Sequence, residues 1–207
     1  KSRMKMHTLI GLAMVLSLPA LAQPTIDLSN NKPVDGQQFP VRTLNAWNDQ
    51  GPAGVDVDYS FYGLITTTNR TYHAHPASYT ATSAAIPAAN MLTTDGGNDT
   101  IFWNYASDGL YQVGARTSLE LVSNYSDPIL ELKYACTYGT TWNDVTVASF
   151  TSPVGAANRT GTISGHADAY GTLGLSQLYE PNILRVKVRR DITDVAAVAN
   201  YHRITNT

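Results

Sequence analysis

The sequence predicts an all-β domain, a two-sheet antiparallel sandwich of about ten short strands. Short β-like runs recur from Val41 onward, and no segment after the N-terminal region shows an apolar period of 3.6 residues. Turn sequences rich in Gly, Pro, Asn and Asp separate these runs. Hydrophobic residues make up 43% of the 207 residues, and the 12 Tyr outnumber the 4 Phe. This balance suits strands with one buried and one solvated face.

Composition also restricts the class of partner. Charged residues are 14% of the chain and the formal net charge is −2, so we expect no nucleic-acid partner. The chain has one cysteine, Cys136, which excludes an intramolecular disulfide. We expect Cys136 to be a buried strand residue, the usual situation of an unpaired cysteine.

The N-terminal region resembles an export signal. An apolar run from Leu9 to Leu18 follows a short basic start and precedes a small-residue cleavage pattern at Pro19–Ala22. The run is shorter than the roughly 20 residues that span a bilayer. We therefore expect residues 1–22 to be cleaved near Gln23 or retained as an anchor. Residues 23–40 are predicted to be an extended arm, and residues 41–207 the β-sandwich domain.

The first four predicted strands precede residue 122. In Val55–Ile65, Asp56 and Asp58 share one face, and Val55, Val57 and Tyr59 share the other. Ser78–Ile86 follows. Thr100–Tyr105 comes after the turn DGGND, and Leu110–Leu121 comes after the turn SDG.

Six further strands complete the predicted domain. Ile129–Thr137, Thr141–Phe150 and Thr160–Ala167 follow the turns NYSDP, TYGT and SPVGAAN. Gly171–Leu178 and Ile183–Arg190 flank YEPN, and Val198–Thr205 is the last strand. Alternation within Ile183–Arg190 gives one core face and one cationic face; the core face has Leu184, Val186 and Val188, and the other has Ile183, Arg185, Lys187 and Arg189.

The order of these pieces resembles a known superfamily. A strand with a Phe-Trp pair precedes Asp108-Gly109-Leu110-Tyr111, which opens a long alternating strand, and TGTISGHADAYGTLGLSQLYEPNILRVKVRR follows later. Residues 78–205 thus resemble the jelly roll of the tumour necrosis factor and complement globular-head superfamily. Related jelly rolls occur in phage fibres, capsid-bound proteins and bacterial surface proteins. In this resemblance Gly109 and Tyr111 are the markers, and the implied architecture is a jelly-roll homotrimer without a collagen stalk.

The densest basic feature is the set Arg185, Lys187, Arg189 and Arg190. One interpretation is a solvated outer face whose cations pair with Glu131 or Glu180. The alternative is a subunit contact or a patch for an anionic surface glycan.

Four aromatic residues lie in or beside Gly-rich turns: Trp47, Trp142, Tyr138 and Tyr170. Such positions suit stacking against a sugar ring, and equally suit core or interface residues.

Two histidines, His73 and His75, lie on one side of an extended segment at a spacing that metals can use. Without a third ligand nearby, polar loop residues are the better interpretation, so we expect neither a metal nor another cofactor. The chain has no nucleophile elbow, zinc-protease motif, P-loop or dinucleotide fingerprint. We therefore expect a non-enzymatic protein.

The sequence favours a trimeric protein at the virion surface or elsewhere outside the cell. A phage head fibre, decoration protein or host-attachment protein fits the resemblance, with the N-terminal arm contacting other virion or surface proteins and the domain contacting cell-surface glycan. The alternative is a secreted bacterial carbohydrate-binding, matrix or surface protein, which the signal-like segment favours.

Overall fold

The computed structural model describes residues 23–44, 49–97, 99–118, 121–175, 178–196 and 199–206. The elements of this part of the chain are, in order, α1 (Leu28–Asn31), β1 (Gln38–Leu44), β2 (Gly54–Phe61), β3 (Thr66–Pro76), two 3-10 turns (Ala77–Tyr79 and Ala81–Ala85), β4 (Met91–Thr94), β5 (Thr100–Tyr105), β6 (Gly109–Arg116), β7 (Val122–Lys133), β8 (Thr141–Ser152), β9 (Gly155–Leu175), β10 (Leu178–Ala196) and β11 (Ala199–Asn206). The predicted all-β class is confirmed. No helix in the described ranges is long and apolar enough to cross a membrane.

The strands form one hydrogen-bonded sheet whose order follows the chain. From β3 to β11 each strand lies beside the next, β1 lies beside β3, and β2 pairs with β9. Jelly rolls are built from two Greek keys, whereas this order places consecutive strands side by side. The jelly-roll topology therefore stays a prediction.

The two longest strands, β9 and β10, position the rest of the sheet. β8 pairs with residues 155–166 of β9, and β2 pairs in parallel with residues 169–175. Between them, the turn before β8 bonds to Ala167, with Gly139 N donating to the Ala167 carbonyl at 2.7 Å. Because β10 occupies the opposite edge of β9 along its length, β2 and β8 share one edge. Gly171 allows the close approach of β2, since a Cβ there would lie 2.0 Å from the Val57 carbonyl oxygen.

The main core cluster joins β7 with β8, β9 and β10; its buried members are Tyr125, Ile129, Cys136, Trp142, Ala148, Ile163, Ala167, Val188 and Ile192. Backbone pairing between β7 and β8 stops at Asp127 and Val147. Side chains continue the connection from there: Leu130 N donates to Asp144 Oδ2 at 2.7 Å, and Trp142 Nε1 donates to the Leu130 carbonyl at 3.1 Å. The two strands are thus held together while the ladder between them ends.

A second core cluster consists of Ile86, Leu92, Phe102 and Val113. Tyr111 packs against it, so Tyr111 and Val113 share a face as expected. The marker Gly109 is buried. The backbone approaches its neighbours closely there, since a Cβ would lie 2.5 Å from Leu130 Cδ1.

The predicted strand Ser78–Ile86 is wrong, because this segment forms the two 3-10 turns. Short Ala, Ser and Thr side chains dominate it, and Ser and Thr hydroxyls compete for backbone groups. Thr80 Oγ1, for example, accepts from Thr82 N at 3.4 Å. Ile86 at the end of the segment is fully buried and contributes to the second cluster.

Two further expectations need correction. Val55 was expected to face inward with Val57 and Tyr59, but it is 52% exposed. Asp56 has a positive φ of 52°, and the register with β9 shifts between Gly54 and Val57, so the alternation breaks there. The predicted strands Thr160–Ala167 and Gly171–Leu178 are largely one strand, β9, because Ala169 and Tyr170 continue the pairing with β10.

The predicted arm is only partly extended. Ile26 forms a bridge with Cys136, their amide and carbonyl groups bonding at 2.9 and 2.8 Å. The short helix α1 follows, capped by the Asp27 side chain. Residues 26–31 are therefore attached to the β-domain.

Candidate functional site

The outward-facing side chains of β8, β9 and β10 form a broad surface, which we call the outer face. Strand register aligns them in rows, each named from β8 to β10: Thr141–His166–Lys187, Asn143–Ser164–Arg189, Val145–Thr162–Asp191, Val147–Thr160–Thr193 and Ser149–Asn158–Val195. The alternate residues of the same strands, including Trp142, Ile163 and Val188, enter the main core. The outer face follows directly from this alternation.

An open groove of about 510 Å³ lies on the outer face. Its lining comprises Asn143, Asp144, Val145, Thr162, Ile163, Ser164, Arg189 and Asp191. On the outer face, the lining side chains are an amide, two hydroxyls, the Asp191 carboxylate and a guanidinium beside Val145. The side chains of Asp144 and Ile163 point to the other side of the sheet. Such a groove presents hydrogen-bond donors and acceptors around a small apolar centre.

The guanidinium of Arg185 is hydrogen-bonded to other groups of the protein. Its Nε and Nη2 donate to the two carboxylate oxygens of Asp168 at 2.7 and 3.0 Å. Its Nη1 donates to the carbonyls of Gln50 and Gly51 at 2.8 and 3.0 Å, and the guanidinium lies 5.0 Å from the centre of the Tyr59 ring. Arg185 therefore fastens the segment before β2 to β10.

Lys187 shares the same carboxylate, with Nζ 2.9 Å from Asp168 Oδ2. Burial of Asp168 by itself raises the pKa of its carboxyl group. The hydrogen bonds and charges of Arg185 and Lys187 outweigh burial, and the pKa of Asp168 is lowered. Asp168 thus stays ionised and offsets part of the predicted basic face.

Arg190 does not belong to the same face as the other three cations, which corrects the predicted grouping. It follows Arg189 by one residue and therefore points to the opposite side of β10. There Arg190 Nε donates to the carboxylate of Glu131 at 3.0 and 3.1 Å, and Nη2 makes a further contact with Glu131. Arg190 thus pairs with Glu131, one of the two predicted partners, but does so on the side opposite to the solvated face for which the pairing was predicted.

Arg189 is the most exposed of the four cations, with 55% of its side chain accessible. Its Nη2 lies 3.8 Å from Asp191 Oδ2, its neighbour along the outer face. Such an exposed pair contributes little to stability. Arg189 is therefore the predicted basic residue best placed to contact another molecule.

One of the four aromatic residues predicted to stack against a sugar ring is excluded. Trp142 is only 5% exposed and its ring belongs to the main core, so it cannot stack against an external sugar. Tyr138 and Tyr170 are half-buried and contact each other edge to face, with ring centres 5.6 Å apart. Trp47 lies outside the described residues.

His73 and His75 lie on one side of β3 as expected, with ring centres 6.4 Å apart. The His75 ring also stacks on Tyr79 at 3.8 Å, and its Nδ1 lies 2.7 Å from Asp35 Oδ1. Within the described ranges, no three His, Cys, Asp or Glu side chains are grouped closely enough to hold a metal ion.

Sequence reasoning missed the central part of the outer face. Val145 and Val147 were assigned to a strand without a stated face, yet they are 54% and 44% exposed. The signal was present in the alternation of β8: because Trp142, Ala148 and Phe150 are inward, Val145 and Val147 must be outward.

Comparison with known proteins gives no match to a family model, a curated protein or a solved structure.

Proposed function

We propose that this chain is a non-enzymatic structural or attachment protein of the virion surface or the cell exterior, acting as a homotrimer. A phage head fibre, decoration protein or host-attachment protein is the form that we favour. The sequence resemblance supports the virion setting, whereas the export-like N-terminal segment supports a place outside the cell and favours the secreted alternative.

The outer face is the observation that carries the proposal. Three of its rows, from Val145 to Ser149, contain Asp191 as their one charged residue and are otherwise Val, Thr, Ser and Asn. Depletion of charge is a property of the central part of protein interfaces. The cations Arg185 and Lys187 are offset by Asp168, which further favours contact with a protein surface over capture of a free anion.

Light scattering of the purified full chain at micromolar concentration tests the trimer. We expect the mass of three chains, and a monomer would contradict the proposal. Immunodetection of the chain in purified virions tests the setting, and a chain found only as a soluble product in culture supernatant would contradict the virion assignment.

The groove supports a second candidate, a secreted carbohydrate-binding or matrix protein. Amide, hydroxyl, carboxylate and guanidinium groups around Val145 can bond to sugar hydroxyls. A glycan array with the native chain and with Arg189→Ala tests it. Binding that is lost in Arg189→Ala supports a glycan site, whereas absence of binding leaves the structural function.

A further inference from the structure

The outer face extends onto β11, and one of its rows has an apolar residue at both ends. Ile204 pairs directly with Asp191, so the row runs Val145–Thr162–Asp191–Ile204. Directly paired residues of antiparallel strands point to the same side. Val145 and Ile204 are 54% and 48% exposed. Both apolar side chains are therefore about half exposed to solvent on the outer face.

Both residues lie at the margins of the outer face. β11 is the last strand of the hydrogen-bonded path. On the other side, β7 pairs with β8 at residues 147–151 and not at Val145. A neighbouring molecule can therefore approach Val145 and Ile204 from the sides of the face.

We propose that the outer face is the contact between three copies of this chain, arranged around an axis parallel to the strands, with Val145 of one copy against Ile204 of the next. The inference rests on the proposed homotrimer and identifies its interface. Rotation about an axis parallel to the strands leaves every residue at the same height. The Val145 end of a row in one copy therefore meets the Ile204 end of the same row in its neighbour.

The width of the face suits this arrangement, and its area limits the size of each contact. Twelve residues of β8, at about 3.3 Å each, span roughly 40 Å, and four strands about 4.8 Å apart span roughly 19 Å. Since β11 pairs with β10 over only eight residues, the face has an area of roughly 700 Å² per copy. Two neighbours share this area, so each pairwise contact is smaller than the ~800 Å² that one partner contributes to a standard interface. A triangle with sides of roughly 19 Å also places each face about 5 Å from the axis, consistent with the ~10 Å spacing of packed sheets.

The distribution of charge is compatible with the same axis. β9 and β10 are the two central strands of the four-strand face and lie nearest to the axis. The outward residues of β9 there are Asn158, Thr160, Thr162 and Ser164. These uncharged side chains can bond to their own copies without repulsion. On β10, Arg189 and Asp191 lie in adjacent rows with Nη2 and Oδ2 3.8 Å apart, so that their opposite charges offset each other near the axis.

A pair of cysteines tests the arrangement. In one chain, Val145 and Ile204 are three strand spacings apart, about 14 Å, too far for a disulfide, which needs Cα atoms within roughly 7 Å. The double variant Val145→Cys/Ile204→Cys should therefore cross-link only between copies and give a covalent trimer under mild oxidation. Cys136 is fully buried and should not take part.

Controls separate the possible outcomes on a non-reducing gel. Each single variant should remain uncross-linked, and so should Val154→Cys/Ile204→Cys, since Val154 is 55% exposed but lies in the turn after β8. Dimers of Val145→Cys alone would indicate two-fold packing and overturn the proposal. If light scattering shows a trimer that the double variant does not cross-link, this interface is wrong while the homotrimer stands. If light scattering shows a monomer, both are wrong.

Discussion

Replacement of Gly165 by alanine should destabilise the protein through Trp142. An alanine Cβ at this position would lie 2.1 Å from Cε2 and Cζ2 of the indole ring. Real contacts are never so short, so the ring must move. The indole is 5% exposed and its Nε1 donates to the Leu130 carbonyl, so it cannot move without losing packing or this bond.

The expected cost follows from these contacts. Overpacking of a filled core costs about 1–3 kcal/mol, and a buried carbonyl left without its partner costs about 1–3 kcal/mol. Alanine in a strand recovers about 0.5–1 kcal/mol relative to glycine. We therefore expect Gly165→Ala to lower the free energy of unfolding by about 3 kcal/mol.

Urea unfolding followed by circular dichroism, at one fixed protein concentration, measures this loss. Gly97→Ala is the control, because its Cβ would meet only the end of the flexible Asp95 side chain, and it should stay within about 0.5 kcal/mol of the wild type. In a Trp142→Leu background the cost of Gly165→Ala should fall below about 1 kcal/mol. An equal cost with and without the indole would refute the reasoning.

Three other predictions concern the ion pairs and the thiol. Asp168→Asn should cost about 3 kcal/mol of unfolding free energy at neutral pH and flatten the acid dependence of the urea midpoint. Burial raises the pKa of Asp168, but Arg185 and Lys187 outweigh it and lower the pKa below its unfolded value. The stability that ionised Asp168 contributes is therefore present above the unfolded pKa and is lost as pH falls through the folded pKa. An unchanged acid slope would count against this account. Arg185→Ala should cost more than about 2 kcal/mol, whereas Arg189→Ala should change stability by less than about 0.5 kcal/mol; equal losses in urea unfolding would contradict the assigned contacts. The buried Cys136 thiol, whose pKa is raised by burial, should react with a disulfide reagent in urea but hardly in buffer, and rapid reaction of the folded protein would show that the thiol is accessible.

Some of the fold could be predicted from the sequence because alternation reports burial directly. In β10 the alternation assigns Leu184, Val186 and Val188 to the core, and all three pack in the main cluster. Strand β5 likewise matches its predicted range, Thr100–Tyr105. Where a strand has one wet and one buried face, its side chains specify both its conformation and its orientation.

Alternation failed where the backbone departs from regular strand geometry. Val55 is exposed because the positive φ of Asp56 interrupts the regular alternation of the strand. The sequence around Asp56 did not indicate this interruption. The segment 78–86 was predicted to be a strand from its Thr and Ser residues. Its position in the fold is determined instead by Ile86, which is buried against β5 and β6. The order of neighbouring strands depends on such packing over distance and is not encoded in any local pattern.

The candidate site was predictable only in part for the same reason. The sequence identifies Arg185, Lys187 and Arg189 on one face, but the partner of Arg185 lies on β9 and that of Arg190 lies on β7. The carboxylates that neutralise these cations are therefore identified only when β7, β9 and β10 are assembled. The exposed position of Val145, by contrast, follows from the alternation within β8 alone.

The pairing of β2 with β9 has a consequence for the order in which the domain folds. Val57 contacts Gly171 across more than a hundred intervening residues, whereas β3 to β11 pair mostly with their immediate successors. Short-range hairpins close quickly, while a distant contact first pays the entropy of a long loop. During synthesis β2 leaves the ribosome well before β9 and must wait unpaired until β9 and its neighbours have formed. We therefore expect β2 to pair with β9 last, after the other strands of the sheet have formed.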